Sequence, residues 1–173
     1  MVIMANCKDS PHFAKDDQYY TSKAAWEQIN HLIPKDKVIW EACLLNSLES
    51  NSKRYLTELG NRVVGDTSWD CFEVQPDFDL IVTNIPFDLQ FKQPILKQFV
   101  EWNKPFIVIL NSMNLFANWF IDIFKSNREH LQIITPKGKV LFEKDGKVLK
   151  APSFYCVYVC YKMNLENNDL YLG

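Results

Sequence analysis

Glycine is scarce in this chain, five in 173 residues, and none falls between Trp40 and Gly60. A phosphate-cradling dinucleotide turn needs glycines where the backbone meets the ligand, so a dehydrogenase-type reading has little support. The five cysteines, Cys7, Cys43, Cys71, Cys156 and Cys160, form no CxxC pair and have no histidine at ligand spacing. That argues against a disulfide framework or a zinc site and for reduced core residues in a cytoplasmic protein. No window reaches membrane-spanning length, and the opening "MVIMANCKDSPHF" has no apolar run behind a basic start. A soluble, non-secreted protein is expected, with no membrane partner. Excess positive charge is missing too. With a formal net charge of -2, any nucleic acid must be held by a local patch or by shape.

What is present is apolar and aromatic. At 47% hydrophobic and 14% aromatic residues, the chain can bury one sizeable core, so residues 1–173 are read as a single domain. Residues 1–14 show little periodicity and read as an irregular arm. "SKAAWEQINHLI" places Ala25, Ile29 and Leu32 on one helical face, and Pro34 ends it. "KVIWEAC" reads as a strand, "SKRYLTELG" as a helix stopped by Gly60, and "NRVVGD" and "DLIVTN" as two further strands. "LQFKQPILKQFVEW" is helical with Pro94 inside, where a break or a late start is expected. "PFIVIL" is a strand and "NLFANWFIDIFKSN" an amphipathic helix. Only strands follow: "LQIITP", "KVLFEKDGKVLK" with Asp145-Gly146 as a hairpin turn, and "SFYCVYVCYK". This alternation predicts an α/β fold with a mostly parallel sheet and an antiparallel C-terminal strand.

One strand ends unusually. "DFDLIVTNIPFD", residues 77–88, runs into Asn84-Ile85-Pro86-Phe87 at a carboxyl edge, where such sheets bind ligands. A proline here can be a plain strand stop and Phe87 a core residue. The same four residues also suit chemistry on an exocyclic amine, whose lone pair is withdrawn into its ring. A side-chain amide oxygen and a backbone carbonyl can accept its two N–H groups and favour a pyramidal nitrogen as positive charge develops. Pro86 fixes the backbone that presents the Ile85 carbonyl. Phe87 offers a stacking face for a base taken out of its helix.

Asn84-Ile85-Pro86-Phe87 resembles motif IV, N-P-P-F or N-P-P-Y, of the class I S-adenosylmethionine-dependent N6-adenine methyltransferases, with Ile where proline is common. "DDQYYTSKAAW" resembles the D-x-x-Y-T-P entry segment of small stand-alone virus- or phage-type members. "VIWEAC" resembles their W-E-P strand, "GDTSWDCFE" the end of the second strand with its D-F-F segment, and "FYCVYVCYKMNL" the last strand. The resemblance implies a Rossmann-like seven-strand methyltransferase sheet that binds S-adenosyl-L-methionine and acts on DNA or RNA, in host cytoplasm or a virion if viral. It implies Asn84, Ile85, Pro86 and Phe87 as the catalytic stretch. It implies Tyr20, Thr21, Glu41, Cys43, Asp66, Asp70 and Phe72 around the cofactor, with Asp66 on the ribose hydroxyls and Asp70 on the adenine amine. No metal is implied.

Against this, the family expects a glycine-rich turn after Glu41, where this chain has "EACLLNSLESNSKRY" with Leu44, Leu45 and Leu48. Either the loop reaches the cofactor by another path, or the chain is a catalytically inactive methyltransferase-fold protein serving as a binding or structural, even virion, component. Lys137, Lys139, Lys144 and Lys147 gather around the predicted hairpin, as phosphate contacts or as charges guarding a sheet edge. With no room for a separate target-recognition domain, sequence specificity is expected to be low or supplied by a protein partner.

Overall fold

The computed structural model describes residues 20–44, 50–144 and 147–166, and the backbone of 171–172. The expected arm, Cys7, Leu45, Leu48 and the Asp145-Gly146 turn lie outside them.

The chain opens with a two-residue strand β1 (Tyr20–Thr21), α1 (Lys23–Ile29) and a 3-10 turn over Asn30–Leu32. It continues through β2 (Val38–Trp40), α2 (Ser52–Glu58), β3 (Arg62–Val64), β4 (Leu80–Asn84), α3 (Leu89–Glu101) and β5 (Phe106–Asn111). A 3-10 turn over Ser112–Phe116, α4 (Asn118–Phe124), a 3-10 turn over Arg128–His130, β6 (Leu131–Thr135), β7 (Phe142–Lys144), β8 (Lys147–Val148), β9 (Cys156–Tyr161) and β10 (Tyr171–Leu172) complete it.

A mixed sheet runs β6-β9-β5-β4-β2-β3. The two-residue β10 lies parallel to β6 at the outer edge. Neighbours from β3 to β5 pair in parallel, and β9 is antiparallel to both β5 and β6. The expected count of seven is met only if β10 is included. Residues 65–79 pass from β3 to β4 through turns, so the β3 edge gains no further strand. A separate small sheet, β1-β7-β8, is antiparallel.

Each face of the main sheet has its own core, which alternation along the strands makes possible. Phe106 and Val108 of β5 join Trp40, Ile81, Phe91, Phe99 and Tyr161 on one face. Ile107 and Ile109 join Trp26, Ile29, Ile39, Leu56 and Tyr158 on the other. The Tyr158 hydroxyl is satisfied there, donating to the Ala25 carbonyl at 2.6 Å.

Two helix expectations change. No break occurs at Pro94, which sits inside α3. The carbonyl it leaves without an N–H partner is that of Gln90, an exposed residue of the first turn where water can serve. The amphipathic helix expected over 114–127 is divided instead. Asn111 caps a 3-10 turn by accepting from Met113 N at 3.0 Å, and Asn114 Nδ2 donates to the Asn111 carbonyl at 2.8 Å. Such local side-chain bonds compete with helix, and α4 starts only after Ala117 in extended conformation.

Candidate functional site

β2 sends the chain outward to β3, and the next strand, β4, lies on the other side of β2. The strand order therefore reverses between β2 and β4, and a crevice at their carboxyl ends is the favoured ligand position. Glu41 follows β2 there and Asn84 closes β4.

Glu41 is 3% exposed. Its Oε1 accepts from the Thr83 hydroxyl and from Cys43 N at 3.2 Å, and the Cys43 N–H also reaches Thr83 Oγ1 at 3.2 Å. Burial pushes the carboxyl up to about 7, against the pull of hydrogen bonds from Thr83, Cys43 and Ser52. The Cys43 thiol is raised well above its ordinary range, first by a hydrogen bond with Cys71 and then by burial. Cys43, Cys71, Cys156 and Cys160 are all free thiols.

A glycine is needed at this corner, but at the end of β3 and not in the turn after Glu41 where one was expected. Gly65 has φ +147°, and a Cβ there would lie 2.6 Å from the Glu41 carbonyl oxygen and 3.1 Å from Leu44 Cδ1. The backbones leaving β2 and β3 thus touch, and Leu44 packs against that contact, buried. Asp66 is next. Its Oδ1 accepts from Ser68 N at 2.8 Å and Ser68 Oγ at 2.6 Å, bonds that hold its carboxyl below the usual range. It faces a groove of about 470 Å³ shared with Lys53, Arg54 and Thr57 of α2. Asp70 is buried, with Oδ1 accepting from Phe72 N at 2.9 Å.

Asn84 is half-buried and paired in register with Ile109 of β5. Ile85 is buried, Pro86 half-buried, and Asp88 caps α3 by accepting from Gln90 N. Lys92 Nζ donates to the Phe87 carbonyl at 2.9 Å. The half-buried Phe87 ring meets Phe142 at 5.7 Å and Phe154 at 5.4 Å, both edge-on. It is a packing residue as well as a candidate stacking face.

Thr21 and Phe142 are partners in the β1–β7 ladder, so the Tyr-Thr pair stands beside the ring that touches Phe87. The hydroxyls of Thr21 and Ser22 are buried with no hydrogen-bond partner among the described residues. Opposite Tyr20, the carboxylate of Glu143 is buried, accepting from Tyr55 Oη at 3.0 Å and Asn51 Nδ2 at 3.0 Å. Of the expected phosphate-binding lysines, Lys144 and Lys147 are directly opposite each other on β7 and β8. Lys137 precedes them with its side chain exposed, and Lys139 Nζ donates to the Pro152 carbonyl at 2.6 Å.

The sequence reading missed Thr83, Gly65, Glu143 and Lys92. A signal existed for Thr83, a polar residue following the apolar run Leu80 to Val82; Glu143 is an acid among hairpin lysines. Among the described residues no cluster of histidine, cysteine and acid could hold a metal ion. None of their helices is long and apolar enough to cross a membrane.

Neither a protein-family model nor a curated protein matches this sequence. Solved structures do match. A protein assigned as an RNA methyltransferase from Pyrococcus horikoshii superposes with a TM-score of 0.56 at 16% identity, covering 92% of this chain and 93% of its own. A modification subunit assigned to a type I restriction enzyme from Vibrio vulnificus gives 0.49 at 10% identity, over 86% of this chain and 46% of its own. The first match gives the fold: this chain shares that structure's α/β architecture.

Proposed function

We propose that this chain binds S-adenosylmethionine and transfers its methyl group to the N6 amine of adenine in nucleic acid. The observation that carries the reading is the position of Asn84-Ile85-Pro86-Phe87, at the end of β4 beside buried Glu41, where the strand order reverses. The Pyrococcus protein's assignment to RNA agrees with it.

The residues at hand fit such a cofactor. Thr21 and Ser22 offer buried hydroxyls still lacking a partner among the described residues, Asp66 a carboxylate for ribose hydroxyls, and Asp70 with Phe72 a place for the adenine. Tyr20 and Cys43 complete the surround. When bound, the cofactor supplies an electrophilic methyl group on a sulfonium. The protein's part is to prepare the amine: the Asn84 side-chain oxygen and the Ile85 carbonyl accept its two N–H groups, and Phe87 covers the base. Both acceptors are fixed before charge develops, so they stabilise the transition state without reorganising. No base is needed before attack; the extra proton leaves the nitrogen for water afterwards. A viral setting, in host cytoplasm or a virion, a seven-strand sheet counting β10, and a protein partner that sets specificity belong to the same reading.

The second reading, a methyltransferase fold without catalysis, is favoured by one observation. Leu44 occupies the corner at Gly65 where a bare backbone was expected. Calorimetric titration with S-adenosylmethionine and S-adenosylhomocysteine separates the two: micromolar binding is expected, and none at millimolar ligand removes the enzyme. In a methyl-transfer assay Asn84→Ala should lower activity by roughly 10²-fold or more with little change in melting. Ile85→Pro should keep its activity once folded, since the reaction uses only the carbonyl, but melt earlier, because the Ile85 side chain is buried in the core. Phe87→Ala should lose stability by about 1–3 kcal/mol through its ring contacts and bind the base less well.

A further inference from the structure

Three large apolar side chains stand exposed near this site. Phe116 is 77% exposed, Met113 70% and Tyr155 60%. They converge because Ser112 N donates to the Tyr155 carbonyl at 2.9 Å, which seats Tyr155 beside the turn that carries Met113 and Phe116. Two connections join the patch to Phe87. On one side the Phe87 ring touches Phe154, the neighbour of Tyr155. On the other, Lys92 holds the Phe87 carbonyl and lies 5.9 Å from the Trp119 ring, at the start of α4 beyond Phe116. Lys139 Nζ lies 4.8 Å over the Tyr155 ring, anchored by the Pro152 carbonyl.

Two exposed rings with half-buried lysines at their margin fit a chain of flat bases joined by anionic phosphates, and stacking needs bases that are not already paired. A net charge of -2 makes local cations the only electrostatic hold, and here they border the rings. We propose that Phe116, Met113 and Tyr155, bordered by Lys139 and Lys92, form the track along which an unpaired nucleic-acid strand reaches Asn84. This deepens the function proposed above and rests on it for the strand's purpose. Bases and phosphates are common to RNA and DNA, so single strands of both should bind alike.

Fluorescence anisotropy on the full chain tests it, with a 12-nucleotide adenine-containing single strand as RNA and as DNA, and the corresponding duplex. Both single strands should bind more tightly than the duplex. Phe116→Ala and Tyr155→Ala should each weaken them about tenfold. Lys139→Gln should reduce the log–log salt slope by roughly 0.7. Affinity for S-adenosylhomocysteine, titrated separately, should not change in the Phe116 and Tyr155 variants. Unaltered oligonucleotide affinity in both ring variants, or preference for the duplex, overturns the track. So does cofactor binding with no oligonucleotide binding, which would instead mark the patch as a protein interface. Oligonucleotide binding that depends on both rings without any cofactor binding would uphold the track and sink the enzyme.

Discussion

Glu41 keeps its proton in the fold to about pH 7, against an ordinary value of 4.5. Between those values the folded chain binds more protons than the unfolded one, so stability falls as pH rises through the window. The contribution is complete below pH 4.5, lost by about 7, and worth roughly 3 kcal/mol at most. Urea melts between pH 4.5 and 8 should show this slope in the native chain and a flatter one in Glu41→Gln; parallel curves would refute it. At Gly65 the demand is steric. Gly65→Ala should destabilise by about 2–5 kcal/mol, through its positive φ and its contact with the Glu41 carbonyl, readable as a lowered melting temperature. At this scale the places of Asn84, closing β4, and Glu41, just after β2, were legible because each belongs to a local strand-end pattern. The glycine was not: its reason for being glycine is a carbonyl 24 positions earlier, which only the pairing of β2 with β3 brings near.

Among the elements, the β7–β8 pair sets Lys144 against Lys147. Like charges directly opposite each other destabilise a ladder, so Lys147→Glu should stabilise the fold by about 0.2–1 kcal/mol. If the pair meets phosphates, the same change should weaken oligonucleotide binding and flatten its salt dependence. A gain in melting temperature with no change in salt slope would leave these lysines as edge guards only. The strands of this region were legible from apolar runs and turn residues. The division of the expected 114–127 helix was not, because period alone carries no trace of the Asn111 and Asn114 side chains that bond back to the backbone. Pro94 misled in the opposite sense, since a proline near an exposed first turn forfeits a bond that water replaces.

For the whole molecule, strand–helix alternation was enough to foresee a mostly parallel sheet with a late antiparallel strand. Strand order and the reversal between β2 and β4 were not in the sequence, since they depend on which distant strands pair. That order has a consequence during synthesis. β5 and β6 are never hydrogen-bonded to each other; β9, made last of the three, is inserted between them. Until residue 161 has left the ribosome, β5 has a bare edge along a strand whose residues Phe106 to Leu110 are fully buried in the finished fold. An apolar unpaired edge is a template for other chains. Nascent chains halted near residue 150 should therefore collect in the aggregated fraction, whereas chains released after β9 should be recovered folded. Equal solubility of the two would show that the halted chain has another means of covering β5.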